Sequence, residues 1–151
     1  MHGFRGTFEH GLDAKHRLTI PSKFRAALAG GVVLAASPET DPGTPRAIGI
    51  WPTAAYEAYT RAALAGQNPM TPAARDMSRF FFNYSHDTEL DAANRVMIPP
   101  KLMEYAALTK DVVVTGSGEF LEVFDRPAYQ AYSEGVLTRV PEIAANLGNT
   151  A

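Results

Sequence analysis

Cysteine is absent from the 151 residues, which excludes disulfides, thiolate metal sites and a cysteine nucleophile. Long apolar runs are missing too. None approaches the ~18–20 residues of a membrane span, so no membrane association is expected. The first residues, MHGFRGTFEHG, lack the hydrophobic core of a signal peptide, and a cytoplasmic protein is the expectation. Net charge is scarce, at −2 with a pI near 6.1, which argues against a non-specific polyanion binder. Catalytic signatures are equally thin. There is no Gly-x-Ser-x-Gly elbow. Gly116-x-Gly118 reads as a hairpin turn, because no helix with a free N-terminus follows it. Glu9-His10 and His86-Asp87 are adjacent acid and imidazole pairs, but neither has metal-ligand spacing on a helix face, and surface histidines account for both. The chain is therefore expected to be no enzyme, with no metal, cofactor or small-molecule substrate.

What is present is a repeat. Leu12-Asp13-Ala14-Lys15-His16-Arg17-Leu18-Thr19-Ile20-Pro21-Ser22-Lys23 returns as Leu90-Asp91-Ala92-Ala93-Asn94-Arg95-Val96-Met97-Ile98-Pro99-Pro100-Lys101, with seven of the twelve positions identical at an offset of 78. Such self-similarity marks two structural units. Apolar residues make up 46% of the chain, enough for a packed core, but units of about 50–60 residues are marginal alone. Each is expected to lean on the other or on a partner chain. Charge is unevenly spread. Residues 1–28 hold Arg5, Lys15, Arg17, Lys23 and Arg25 against Glu9 and Asp13, a balance of +3, so the remainder carries −5. A local basic patch on an acidic body results.

Each unit reads strand, turn, strand, short helix, strand, turn, strand, helix. Thr7–Leu12 and Arg17–Ile20 flank an Asp13 turn, and Pro21 opens a helix with Phe24, Ala27 and Leu28 on its buried stripe. Strands are expected at Val32–Ala35 and Ala47–Trp51, then a helix over about 54–65 capped by Thr53. A helix opened by Thr71-Pro72 carries Met77, Phe80, Phe81 and Tyr84 on one face and joins the halves. The second pass gives strands at 86–90, 95–98, 111–115 and 120–124 and helices after Pro99 and Asp125. The periodic signal fades from Val136, and Asn146–Ala151 reads as a frayed tail.

Asp-x-x-x-Arg occurs at Asp13/Arg17 and Asp91/Arg95. One reading is structural: the carboxylate fixes a turn and the arginine folds back on it, an exposed pair contributing about 0–1 kcal/mol. The other is that the turn projects a cation suited to guanine edges or phosphates. Repetition does not separate them, since a fold-specifying turn would repeat as well. The neighbours do distinguish the copies. Lys15 and His16 lie inside the first turn, whereas Ala93 and Asn94 occupy the second, with Asp87 and Glu89 beside it. Polyanion contact is expected at the first copy and mainly architecture at the second.

Phe4-Arg5-Gly6-Thr7, followed by Leu12-Asp13-Ala14-Lys15-x-Arg17-Leu18-x-Ile20-Pro21-x-Lys23-Phe24-Arg25, resembles the start of the MraZ family of bacterial transcriptional regulators. Arg79-Phe80-Phe81-Phe82, Glu89-Leu90-Asp91-x-x-x-Arg95-x-x-Ile98-Pro99-Pro100 and Glu122-Val123-Phe124-Asp125 resemble the family's later stretches. The resemblance spans roughly residues 4–132. It implies an α+β fold of two tandem AbrB-like domains of the swapped-hairpin type, each with short flanking helices. Their expected bounds are 5–65 and 85–135, with a helical linker at 66–84 and a C-terminal tail at 136–151. It also implies a ring-like homo-oligomer, nucleoid-associated, that binds direct repeats in double-stranded promoter DNA of the division and cell-wall gene cluster. The family's Asp-x-x-x-Arg motif implies DNA contact at Lys15, Arg17 and Arg95, with Asp13 and Asp91 fixing the turns, and Arg5 and Lys23 of the basic N-terminal patch complete the expected DNA-binding set. The family usually has Gly before the Arg, where this chain has His16 and Asn94; both residue types tolerate the left-handed region. An antitoxin-like interaction module of AbrB type is the alternative, and a small hydrolase a more distant one.

Overall fold

Leu18 and Val96 hold equivalent places in the two repeats, and in the structure they pair with each other. The computed structural model describes residues 3–39 and 41–148. In it β2 (Arg17–Thr19) and β6 (Arg95–Met97) form an antiparallel two-stranded ribbon with Arg17 opposite Met97 and Thr19 opposite Arg95. Residues 78 apart face one another at its centre, so a local two-fold axis relates the halves.

The same axis organises a six-stranded antiparallel sheet. It contains β1 (Thr7–Gly11), β3 (Val32–Ala36), β4 (Ile48–Pro52), β5 (Ser85–Thr88), β7 (Asp111–Gly116) and β8 (Leu121–Asp125), in the order β1-β7-β8-β4-β3-β5. Each outer strand belongs to the opposite half from its neighbour: β1 pairs with β7, and β5 with β3. The Asp13 and Asp91 turns thus close no local hairpin; each passes the chain from the large sheet to the ribbon. This exchange is the arrangement a swapped hairpin implies. At the centre Gly49 faces Glu122 across β4 and β8. A Cβ on Gly49 would run into the Trp51 indole and the Phe120 ring, which stack at 4.0 Å.

The sheet is covered on both faces, which explains why all five residues of β3 and of β4 are buried. On one face the ribbon's inward side chains, Leu18 and Val96, join Ile20, Ile98, Phe24, Leu28 and Leu102 over Val32, Leu34, Ile50, Val112 and Val114. Phe24 ends a single 3-10 turn (Ser22–Phe24), Leu28 closes α1 (Arg25–Leu28) and Leu102 lies in α4 (Pro100–Tyr105). On the other face Val33, Ala35 and Trp51 pack with Tyr56 of α2 (Thr53–Leu64). The Tyr56 hydroxyl donates to the Phe81 carbonyl of α3 (Pro72–Asn83) at 2.9 Å. Thr53 is the first residue of α2 and makes no side-chain cap bond; Thr71 does cap α3, accepting from the Ala74 amide.

Asp125 caps α5 (Arg126–Gly148) by accepting from the Ala128 amide. Arg126 ties this helix to the sheet edge, donating to the carbonyls of His10 at 2.6 Å and Val112 at 3.2 Å. Beyond Val136, where the periodic signal fades, α5 continues to Gly148 and so takes in the first three residues of the expected frayed tail. Every residue from Leu137 to Gly148 is exposed, and Gly135 just before this stretch and Pro141 within it weaken the helical signal of the sequence without breaking the helix. Of the expected tail, residues 149–151 lie outside the described residues. Among the described residues no helix is long and apolar enough to cross a membrane.

Candidate nucleic-acid interface

The Asp13 turn is built from its carboxylate outward. Oδ1 accepts from the Lys15 and Arg17 amides, both at 2.9 Å, and the Asp13 carbonyl accepts from the His16 amide at 3.0 Å. His16 is thereby placed at φ 57. This conformation turns the His16 carbonyl toward the other half, where it accepts from the Ile98 amide at 2.9 Å. The second turn repeats each feature. Asp91 Oδ1 accepts from Ala93 and Arg95, Asn94 sits at φ 59, and the Asn94 carbonyl accepts from Ile20 at 3.0 Å. The two left-handed residues stitch the ribbon to the opposite repeat, so the turn is architectural in both copies.

The same carboxylates orient the arginines. Arg17 Nε donates to Asp13 Oδ2 at 2.6 Å, and Arg95 Nε to Asp91 Oδ2 at 3.0 Å. The Arg17 amide bond does most to hold the Asp13 carboxyl at about 2; loss of solvent opposes it and is next in size, and the guanidinium and Lys15 amide bonds add to the lowering. Asp91 is lowered for the same reasons, led by its bond from the Arg95 amide. Engagement through Nε leaves the terminal Nη pair of Arg17 without a hydrogen-bond partner among the described residues. Arg95 Nη1 also lies 3.9 Å from Asp13 Oδ2, which brings the two motifs into one charge cluster across the local two-fold. The structural and recognition readings of Asp-x-x-x-Arg are therefore compatible: the acid sets the turn, and the end of the guanidinium remains available.

Alternation along the ribbon decides what surrounds these arginines. Leu18 and Val96 point inward at 0% and 1% exposure. Arg17, Thr19, Arg95 and Met97 therefore share the outward face, and Met97 is 56% exposed. Exposed Lys15 flanks this face from the first turn. Lys110 lies beside the Asp13 turn, its carbonyl accepting from the Leu12 amide at 2.8 Å, in a cleft of about 360 Å³ that Asp13 and His16 also line. Thr19, Met97 and Lys110 escaped the sequence reading. The period of two could have shown the first two to be outward, but only the strand pairing sets them against Met97's and Thr19's partners, Arg17 and Arg95.

Arg5 and Lys23 lie elsewhere. Arg5 precedes β1 and packs its backbone against Gly116, some eight residues up the chain from Asp13, or about 25 Å along an extended strand. Lys23 Nζ rests over the rings of Phe8 and Phe24 at 5.3 and 5.1 Å, near Gly6. Its repeat equivalent Lys101 is parked on Tyr84 in the same way, at 4.1 Å. The structure thus brings Lys15, Arg17 and Arg95 together with Asp13 and Asp91, and sets Arg5 and Lys23 toward the far end of β1. The adjacent acid–imidazole pairs are separated by alternation: Glu9 and His10 occupy opposite faces of β1, as His86 and Asp87 do on β5. Among the described residues no group of three or more His, Asp or Glu is arranged to hold a metal ion.

Comparison with known proteins matches these features. The family model described as "MraZ protein, putative antitoxin-like" matches residues 4–80 and again 81–144, one match for each repeat. A protein of Salinispora tropica named "Transcriptional regulator MraZ" is 43% identical over 130 residues, covering 85% of this chain and 86% of the relative. One of the same name from Herpetosiphon aurantiacus is 34% identical over 145 residues, covering 95% and 96%. Another, from Symbiobacterium thermophilum, is 34% identical over 143 residues, covering 95% and 99%. With both repeats matched and nearly the whole length aligned, the chain belongs to the MraZ family.

Proposed function

We propose that the protein is a transcriptional regulator that binds double-stranded DNA through the outward face of the β2–β6 ribbon. The observation that carries this reading is the pairing register, which sets Arg17 and Arg95 on one exposed face with their Nε atoms held by carboxylates. A two-stranded ribbon fits the major groove, and the free end of an arginine matches the O6 and N7 acceptors of guanine. Lys15 and Lys110 supply flanking positive charge, with Lys15 placing the greater weight on the first copy. Arg5 and Lys23, farther along β1, serve phosphates outside the bases read by the ribbon. The names of the relatives support the regulatory role.

Few cations per chain mean weak binding by counterion release from one copy. Several copies on spaced repeats gain by effective concentration, which favours a ring-like homo-oligomer on direct promoter repeats, those of the division and cell-wall cluster being the implied target. Leu137, Val140 and Ile143 are exposed on the second half of α5, which supports self-association, because a helical stretch of about twelve residues is marginal in water on its own. A cytoplasmic, nucleoid-associated location follows from this role.

The test is a gel-shift titration of Arg17→Ala and Arg95→Ala against a duplex selected from a random library by the full chain, with oligomer mass checked in parallel. Each substitution is expected to weaken binding by about ten- to a hundred-fold, from ~1–3 kcal/mol per base contact, with the larger loss at Arg17. No loss from either, at unchanged mass, rejects the ribbon as the reading surface. The family description as antitoxin-like favours one second reading, in which α5 binds a protein partner. Stoichiometric binding of a protein that removal of 137–148 abolishes, without any DNA shift by the intact chain, would support it instead.

A further inference from the structure

The outward face of the ribbon carries two side chains that the arginine motif does not account for. Thr19 and Met97 are repeat equivalents, 78 residues apart. Each stands opposite an arginine of the other strand, Thr19 against Arg95 and Met97 against Arg17. Cross-strand neighbours lie about 5 Å apart, and alternate residues of one strand about 7 Å apart. The four side chains therefore form a small rectangle with cations on one diagonal and methyl-bearing groups on the other. Its long side spans about two base-pair steps at ~3.4 Å each.

Met97 has no packing reason to be there. It is 56% exposed while Val96 beside it is at 1%, and it joins none of the hydrophobic clusters that cover the sheet. An exposed thioether next to an arginine that addresses guanine has one chemically apt partner in the major groove, the 5-methyl group of thymine, which is the groove's apolar feature. We infer that Met97 reads a thymine methyl on the base pair beside the guanine addressed by Arg17, making it a specificity-determining residue. Thr19, at the related position, offers a hydroxyl as well as a methyl. The two diagonal positions therefore make different demands, and the element read by one subunit is asymmetric about the local two-fold.

This inference rests on the ribbon as the DNA-reading surface, and the experiment separates the two. A duplex selected by the full-length protein from a random library is resynthesised with each thymidine replaced in turn by deoxyuridine, which removes only the methyl. Binding of the wild-type protein and of Met97→Ala is measured by anisotropy, with a scrambled duplex as the reference. At one thymidine the wild type is expected to lose about four-fold, the worth of one buried methyl. Met97→Ala is expected to bind the parent duplex about as weakly as the wild type binds the uracil duplex, and to be indifferent to the replacement. Sequence-specific binding that ignores uracil everywhere overturns the role of Met97 and leaves the ribbon reading intact. A uracil penalty that persists in Met97→Ala does the same. Equal binding to the selected and scrambled duplexes overturns both. Because Met97 is exposed, its truncation leaves folding unaffected, and the melting temperature of the variant verifies this.

Discussion

Replacing His16 by glycine should stabilise the protein, although it deletes a side chain. His16 stands at φ 57, where a residue with a Cβ is disfavoured by about 1–2 kcal/mol relative to the right-handed region. Glycine adopts that conformation freely but loses more backbone entropy on folding, about 0.5–1 kcal/mol. The difference leaves His16→Gly more stable by about 0.5–1 kcal/mol, which for a chain of this length raises the melting temperature by roughly 1–4 °C. Ala107, at φ 50 just beyond α4, should respond in the same way from outside the two recognition turns. Asn94, at φ 59, should gain less, because asparagine visits this region at lower cost. Ala14 and Ala93 are the controls. Neither has positive φ, so Ala14→Gly and Ala93→Gly should each lose about 0.5–1 kcal/mol. Urea unfolding at fixed protein concentration, followed through the fluorescence of Trp51, buried against Phe120, gives all five values. If His16→Gly and Ala107→Gly lose as much stability as the controls, conformational cost does not govern these positions and the reasoning fails.

Three other outcomes are expected. Arg126→Met removes the bonds to the His10 and Val112 carbonyls and should cost about 1–3 kcal/mol, seen first as faster amide exchange along β1. Asp13 has its carboxyl lowered to about 2, so its contribution to stability is complete above about pH 4 and is lost as pH falls toward 2. Asp13→Asn should therefore be less stable at neutral pH yet lose less on acidification through that window, measured by urea unfolding at both ends of it. Glu122 is affected in the opposite sense: burial raises its carboxyl above 4.5, with Glu39 adding to the rise and the Ser117 hydroxyl opposing it. Its stabilisation is present below about 4.5 and lost as pH rises through the folded value, so Glu122→Gln should melt higher at neutral pH and show no gain at pH 4.

Much of the architecture was legible because its signals are local. The Asp13 and Asp91 turns follow from carboxylates that bond amides two and four residues on, and the strands and short helices follow from apolar periods and prolines. The swapped arrangement came only through family likeness. Nothing in Thr7–Gly11 specifies Asp111–Gly116 as its partner, since register between strands a hundred residues apart is a property of the assembled core. The arginines of the site were visible as a repeated motif. Thr19 and Met97 were not, because their meaning depends on which residue stands across the ribbon. Arg5 and Lys23 were grouped with Arg17 by closeness in sequence, but an extended strand carries the chain away from the turn. The continuation of α5 was hidden because Gly135 and Pro141 weaken the helical signal, although Leu137, Val140, Ile143 and Leu147 keep helical spacing.

The exchange of strands across the Leu18–Val96 pair also bears on how such a surface can change. In an assembly of two identical chains related by a true two-fold, any substitution in the recognition turn appears twice, and the DNA element it fits must be symmetric. Here both copies lie on one polypeptide, linked through α2 and α3, so each turn is free to vary while its counterpart stays fixed. Lys15 has diverged from Ala93, His16 from Asn94 and Thr19 from Met97, whereas the paired acids and arginines that hold the frame are the same in both. One continuous chain thus lets a near-symmetric scaffold present an asymmetric surface.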